Sequence, residues 1–186
     1  MSIIATDLDG TIFKGQTLID GVKEGLLKII NEGIEIYYTT NNSSQTPSEI
    51  KDKLEYLLQL NIDISKIITP LVIFQNLYSN NKSNIFIYGS DNLKNYIKNL
   101  NINVTSLENA ELVLIGRKEE NNYLEINEII KNVSLGKNIL SLNKDLTFPT
   151  EYGEKAGNGA VVKIIEDELS ISIPTLGKSG DHYLSL

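Results

Sequence analysis

The step from apolar to acidic residues at the start of the chain constrains its fold more than any other feature. Ile3 to Thr6 is a short, largely apolar run that gives way to Asp7-Leu8-Asp9-Gly10-Thr11. The run suits a buried strand of parallel sheet that delivers polar residues at its carboxyl end. Residues two apart on extended backbone point the same way, so Asp7 and Asp9 face one substrate, and Gly10 lets the chain turn sharply beside them. Two carboxylates this close repel one another unless a cation or a shared proton offsets the charge. The chemistry that exploits such a pair is attack on phosphorus. Asp7 serves as the carboxylate nucleophile, and a protonated Asp9 donates to the leaving alkoxide and later activates water. Magnesium between Asp7 and the phosphate lets an anion approach an anion. An isolated acidic turn has the same four-residue pattern; its place after an amino-terminal apolar strand favours the catalytic reading.

The pattern beyond this loop is alternating strand and helix. Gly21 to Asn31 carries Val22, Leu26, Leu27, Ile29 and Ile30 at helical spacing, Gly33 stops it, and Ile34 to Thr39 reads as a second strand. Thr46-Pro47-Ser48-Glu49 is a capping box with proline at the first helical position, predicting a helix from Pro47 to Leu60. A strand over Lys66 to Ile68 and a helix from Thr69-Pro70 to Tyr78 follow. The polar stretch Ser79-Asn80-Asn81-Lys82-Ser83 then marks a boundary. Beyond it, strands are predicted at Ile85 to Tyr88, Leu112 to Ile115 and Ile139 to Leu142, with helices at Asp91 to Leu100, Tyr123 to Val133 and Ala160 to Leu169. No internal repeat interrupts this order.

A second polar cluster, Thr39-Thr40-Asn41-Asn42-Ser43-Ser44, ends the second strand. A hydroxyl and backbone N–H groups at a strand's carboxyl end suit phosphate oxygens, and neighbouring parallel strands bring such loops together. Thr40 is the phosphate-binding hydroxyl with Asn41 beside it, while Ser43, Ser44 and Thr46 also suit a capping loop. The net charge of −7 and a single arginine, Arg117, argue against a nucleic-acid or anionic-membrane partner. The chain has no cysteine, which removes thiol chemistry and leaves oxygen and nitrogen ligands. No apolar run approaches the roughly 18 residues of a membrane span, and the amino terminus lacks the basic region of a signal peptide, so a cytoplasmic location is expected.

DLDGT at the amino terminus, followed by a hydrophobic strand ending in TNNSS, resembles the haloacid dehalogenase superfamily. Within it, the resemblance is to the branch of para-nitrophenyl phosphatases, pyridoxal phosphate phosphatases and NagD-type phosphatases. It implies an α/β fold with a Rossmann-like parallel-sheet core over 1–83 and 174–186 and an inserted α/β cap over 84–173. Gly15, Ala110 to Gly116, Tyr123, Asn143-Lys144-Asp145 and Gly157-Asn158-Gly159-Ala160 resemble cap or flap landmarks. Gly177-Lys178-Ser179 resembles the segment whose lysine steadies nucleophile and phosphate charge, a role carried to Lys178. The implied site has Asp7, Asp9 and Lys178 in catalysis and Gly10, Thr40, Asn41 and Asn42 at the phosphate. Magnesium lies at Asp7 and Asp9. Asn143 and Asp145 are either cap residues facing the substrate or a turn after a strand. Arg117-Lys118-Glu119 departs from the branch, which has an aspartate shortly after the glycine of this strand, so substrate preference is not carried over. His182, the only histidine, reads as an exposed helix residue outside the chemistry.

Members of the superfamily also carry a later strand ending in an acidic loop that contributes to the magnesium site. Gly180-Asp181 is not assigned to it, because Lys178-Ser179 is no buried strand and only five residues follow. The absence of that loop is expected to leave one side of the core sheet uncovered. The chain is then a truncated product, a chain completed by a second polypeptide, or a non-catalytic phosphate-binding or assembly module. The first reading keeps a magnesium-dependent phosphomonoester hydrolase acting on a small phosphate ester. An uncovered sheet edge also favours a homo-oligomer.

Overall fold

The computed structural model describes residues 2–80, 82–150 and 153–183. The opening run forms β1 (Ile3–Asp7), and a small hairpin of β2 (Phe13–Lys14) and β3 (Thr17–Leu18) follows it. Helix α1 (Val22–Asn31) then leads into β4 (Glu35–Thr39), helix α2 (Pro47–Leu58) and β5 (Ile67–Ile68). The sheet order is β1-β4-β5, all parallel, with Asp7 opposite Thr39. This is the sequence-predicted β-α-β arrangement.

The start of α2 follows the expected capping box. Thr46 Oγ1 accepts the Glu49 N–H at 3.2 Å while Glu49 Oε2 accepts the Thr46 N–H at 2.7 Å, satisfying two amides that a helix start otherwise leaves open. Ile50, Leu54 and Leu58, at helical spacing, pack with Leu8, Ile12, Phe13, Leu26, Ile36, Tyr38 and Ile67 into one core.

One expectation is corrected here. β1 is parallel but not buried: Ile3 is 60% and Ile4 37% exposed. The strand lies at the sheet edge and, among the described residues, its only strand partner is β4. The apolar run therefore has a covered neighbour on one side alone. The core contact comes from Leu8, Ile12 and Phe13 just after the strand.

Helix α3 (Pro70–Tyr78) opens the remaining part, followed by β6 (Ile85–Tyr88), α4 (Asp91–Asn99), β7 (Leu112–Ile115), α5 (Tyr123–Ser134) and β8 (Asn138–Ser141). An antiparallel hairpin of β9 (Thr147–Thr150) and β10 (Gly153–Ala156) leads to α6 (Asn158–Leu169). The parallel sheet β6-β7-β8 places β7 in the centre, which is why all four of its residues are apolar and buried. Ile126, Ile129, Val161, Val162 and Ile165 from α5 and α6 pack with Val113 and Ile115 of β7. Past α6 the chain returns to this sheet: the Ser141 N–H donates to Pro174 O and the Leu176 N–H to Ser141 O, each at 2.9 Å. The chain thus forms an α/β fold with two parallel-sheet units, Met1–Thr40 with Gln45–Thr69, and Asn41–Ser44 with Pro70–Leu186.

Candidate active site

In the first unit, the carboxyl end of β1 presents Asp7, and the loop after it is drawn tight by Leu8 O. That carbonyl accepts the N–H groups of Thr11, Ile12 and Phe13 at 3.2, 2.9 and 3.2 Å. Gly10 takes φ of 82°, a left-handed conformation that a side chain strains, and its N–H closes the turn on Phe13 O at 2.8 Å. Asp7 is half-buried and Asp9 exposed. Asp7 Oδ1 accepts the Leu8 N–H at 2.8 Å, which fixes the carboxylate's orientation.

The parallel pairing brings the end of β4 alongside. Thr39 Oγ1 donates to Thr6 O at 3.0 Å, and Thr40 Oγ1 donates to Asp9 Oδ2 at 3.5 Å. The sequence-predicted residues Asp9 and Thr40 are therefore brought together, with Asp7 and Gly10 in the same loop. Lys53 of α2 joins them without having been singled out in the sequence. Its Nζ lies 3.6 Å above the Phe13 ring centre. Burial holds its ammonium group below the usual lysine range, and the negative charge of Asp9 works in the opposite direction. A lysine on a helix face carries no signal of such a position.

In the second unit, the loop Asn41–Ser44 gathers another group. Asn41 uses its whole side chain: Nδ2 donates to Asp145 Oδ1 at 3.0 Å and Oδ1 accepts the Lys178 N–H at 2.7 Å. Gly177 makes the second contact possible, because a Cβ there would stand 2.9 Å from Asn41 Oδ1 and 3.2 Å from Asn143 Cβ. Asn143 is buried and donates to Asn41 O at 2.9 Å and Ser43 Oγ at 3.1 Å, while its Oδ1 accepts the Asp145 N–H at 3.3 Å. Asn42 Oδ1 accepts both the N–H and the hydroxyl of Ser44. Three separate sequence motifs, around Asn41, Asn143-Lys144-Asp145 and Lys178, thus form one hydrogen-bonded cluster. Within it, the Asn41 and Asn143 side chains are occupied in holding loops. His182 is exposed but stands in a turn, not a helix.

Asn158, part of the Gly157-Asn158-Gly159-Ala160 landmark, sits beneath this cluster. Its Nδ2 reaches Asn143 O at 2.8 Å, Ser141 Oγ at 3.0 Å and Ile115 O at 3.2 Å, which ties the ends of β7 and β8 to the start of α6. The sequence reading starts this helix at Ala160 and so misses the anchoring role.

Asp7 and Asp9 are hard oxygen donors in one tight loop, a set that fits magnesium, which binds through one or two carboxylates and retains water. Among the described residues, no three carboxylate or imidazole groups converge on a common metal position. No helix among the described residues is long and apolar enough to cross a membrane.

Residues 4–103 match the haloacid dehalogenase-like hydrolase family, and the chain belongs to it. An acid sugar phosphatase of Staphylococcus haemolyticus is 31% identical over 176 residues, covering 92% of this chain and 66% of that protein. The chain thus spans about two thirds of that relative's length. A variant of the thermostable p-nitrophenylphosphatase from Bacillus stearothermophilus superposes with a TM-score of 0.79 at 27% identity, over 99% of this chain and 72% of that one. The glycerol phosphate phosphatase of Mycobacterium tuberculosis, solved in complex with magnesium, shares the fold with a TM-score of 0.82 at 21% identity, over 99% and 56%. These likenesses lie on the NagD and para-nitrophenyl phosphatase branch of the family.

Proposed function

We propose that this chain carries the phosphate-handling machinery of a magnesium-dependent phosphomonoesterase acting on a small phosphorylated metabolite. The observation that carries the reading is the pairing of β1 with β4, which sets the Asp7 loop beside Thr40 and points the Thr40 hydroxyl at the Asp9 carboxylate. A nucleophile, an acid/base and a phosphate-binding hydroxyl then share the carboxyl end of one parallel sheet. The likeness to an acid sugar phosphatase and a p-nitrophenylphosphatase supports a small ester as substrate.

In this reading an Asp7 oxygen forms a bond to phosphorus as the ester oxygen leaves, and Asp9 gives that oxygen a proton. Asp9 then takes a proton from water, which attacks phosphorus, releases inorganic phosphate and restores the Asp7 carboxylate. The hydrogen bond from the Leu8 N–H to Asp7 Oδ1 orients the carboxylate for attack. Thr40 and the loop of Asn41 and Asn42 bind phosphate oxygens, with Gly10 allowing close backbone approach. Lys178 offsets phosphate charge. Asp145, held by Asn41, faces the substrate, and Asn143 acts through the loop it positions. Magnesium, held by the Asp7 carboxylate and the Asp9 backbone carbonyl when bound, would neutralise charge on the phosphate. Residues 1–83 and 174–186 serve as the catalytic core, and 84–173 as the cap.

The test is hydrolysis of p-nitrophenyl phosphate with magnesium and with a chelator, for the parent chain and Asp7→Asn. Magnesium-dependent release that Asp7→Asn abolishes, with an unchanged urea midpoint, supports the proposal. Release that survives the substitution overturns it.

A further inference from the structure

A cavity of about 270 Å³ opens in the second unit, lined by Ser44, Ser90, Asn92, Arg117 and Glu119. Arg117, the chain's only arginine, supplies the one cation among the described residues that line it. The guanidinium carbon lies 3.7 Å from the centre of the Phe148 ring, so the side chain rests on an aromatic platform and keeps little rotational freedom. Among the described residues no carboxylate lies within ion-pair distance of Arg117 and no acceptor takes its side-chain N–H groups. Its neighbour Lys118 is spent elsewhere, paired with Glu125 and lying over the Tyr88 ring.

Burial holds the Arg117 guanidinium below its ordinary value, with Glu119 working in the opposite direction. A partly desolvated charge on a fixed platform, without a paired anion, is stabilised by an anionic ligand. A planar fork of N–H donors matches a carboxylate or a phosphate, and with Glu119 beside it the singly charged carboxylate is the less repelled of the two. The remaining walls set the rest of the ligand. Ser90 caps α4, its backbone N–H donates to Arg117 O at 2.9 Å, and Asn92 stands in the first turn of that helix. Ser44 contributes from the loop that carries Asn41 and Asn42, its hydroxyl donating to Asn42 Oδ1 at 2.7 Å. The Glu119 carboxylate offers only acceptors and opposes a second anionic group beside it. A ligand that satisfies these walls carries one anionic group for Arg117 and hydroxyls for the other residues.

We propose that this cavity binds a small hydroxycarboxylate group, with Arg117 gripping the carboxylate and Glu119, Ser90 and Asn92 meeting the hydroxyls.

A ligand titration of the full chain and its Arg117 variants tests this. In a nuclear magnetic resonance titration, glycerate is compared with glycerol, which has a hydroxymethyl group in place of the carboxylate. Glycerate is expected to shift the Ser90, Asn92 and Arg117 amides and to bind roughly tenfold to a hundredfold more tightly than glycerol. Arg117→Gln removes that difference, and Arg117→Lys, which keeps the charge but not the fork, retains part of it. Equal binding of the two ligands, or glycerate binding untouched by Arg117→Gln in a variant with a parental urea midpoint, overturns the proposal.

Discussion

Asn158 offers a sharp test of the physical account, because the substitution that changes its shape least should cost the most. Its Nδ2 donates into a crowd of acceptors, Asn143 O, Ser141 Oγ and Ile115 O, while its Oδ1 is buried with no partner among the described residues. Each carbonyl retains another donor once the amide is removed. Asn143 O keeps the Ser141 hydroxyl at 2.5 Å, and Ile115 O keeps the Leu142 N–H at 2.9 Å. Asn158→Ala therefore strands no acceptor and also removes the orphan oxygen. Its cost is the net worth of the lost hydrogen bonds, about 1–2 kcal/mol. Asn158→Asp instead places a carboxylate against two carbonyl oxygens, with the Ser141 hydroxyl its nearest possible donor. An uncompensated buried charge of this kind costs about 3 kcal/mol or more. The pH dependence has a definite sign. Burial among acceptors raises the aspartic acid's pKa in the folded state, so the folded protein binds more protons than the unfolded one. The deficit then shrinks as the pH falls from about 7 toward about 5. Urea midpoints of the three proteins at both pH values measure this. An Asn158→Asp protein as stable as the parent at neutral pH, or less stable than Asn158→Ala only in acid, would refute the reasoning.

Other consequences are as direct. Thr46→Ala breaks the reciprocal cap of α2 and should lower stability by about 1 kcal/mol, read as a lower urea midpoint with an unchanged slope. Gly159→Ala should cost about 1–3 kcal/mol, because the new Cβ would lie 2.2 Å from the Lys144 carbonyl oxygen, a backbone atom that cannot rotate away. Asp9→Asn removes the charge that props up the Lys53 ammonium, so the Lys53 pKa, followed by side-chain carbon resonances, should move further below its ordinary value. An unchanged Lys53 titration would mean that the two groups are not coupled.

Much of the architecture is legible in short runs of residues. Leu112 to Ile115 is a continuous apolar segment because both faces of β7 are covered, and Thr46 to Glu49 announces the start of α2 by its own chemistry. The β2-β3 and β9-β10 hairpins are not legible. Their strands are two to four residues long, and the first rests on a glycine turn rather than on apolar alternation. The edge position of β1 is equally hidden, since an apolar run reports what a strand can bury and not which neighbours it has.

At the candidate site, Asp7, Asp9 and Thr40 stand out because strand ends deliver them by local geometry. The cluster of Asn41 with Asp145 and Lys178 depends on contacts spanning 104 and 137 residues. No local pattern encodes such distances. Motif resemblance named these residues, but only the fold shows that the Asn41 side chain is committed to holding two loops. Lys53 gave no signal at all, because its position over Phe13 follows from the packing of α2 and not from its neighbours in sequence.

The central claim is that the carboxylate of residue 7 becomes covalently bonded to phosphorus. Borohydride added during turnover of p-nitrophenyl phosphate reduces an acyl phosphate, so peptide mass spectrometry should find homoserine in place of Asp7 in a substrate- and magnesium-dependent manner. Phosphate release accompanied by no change at residue 7, or by reduction at another carboxylate, would contradict the account.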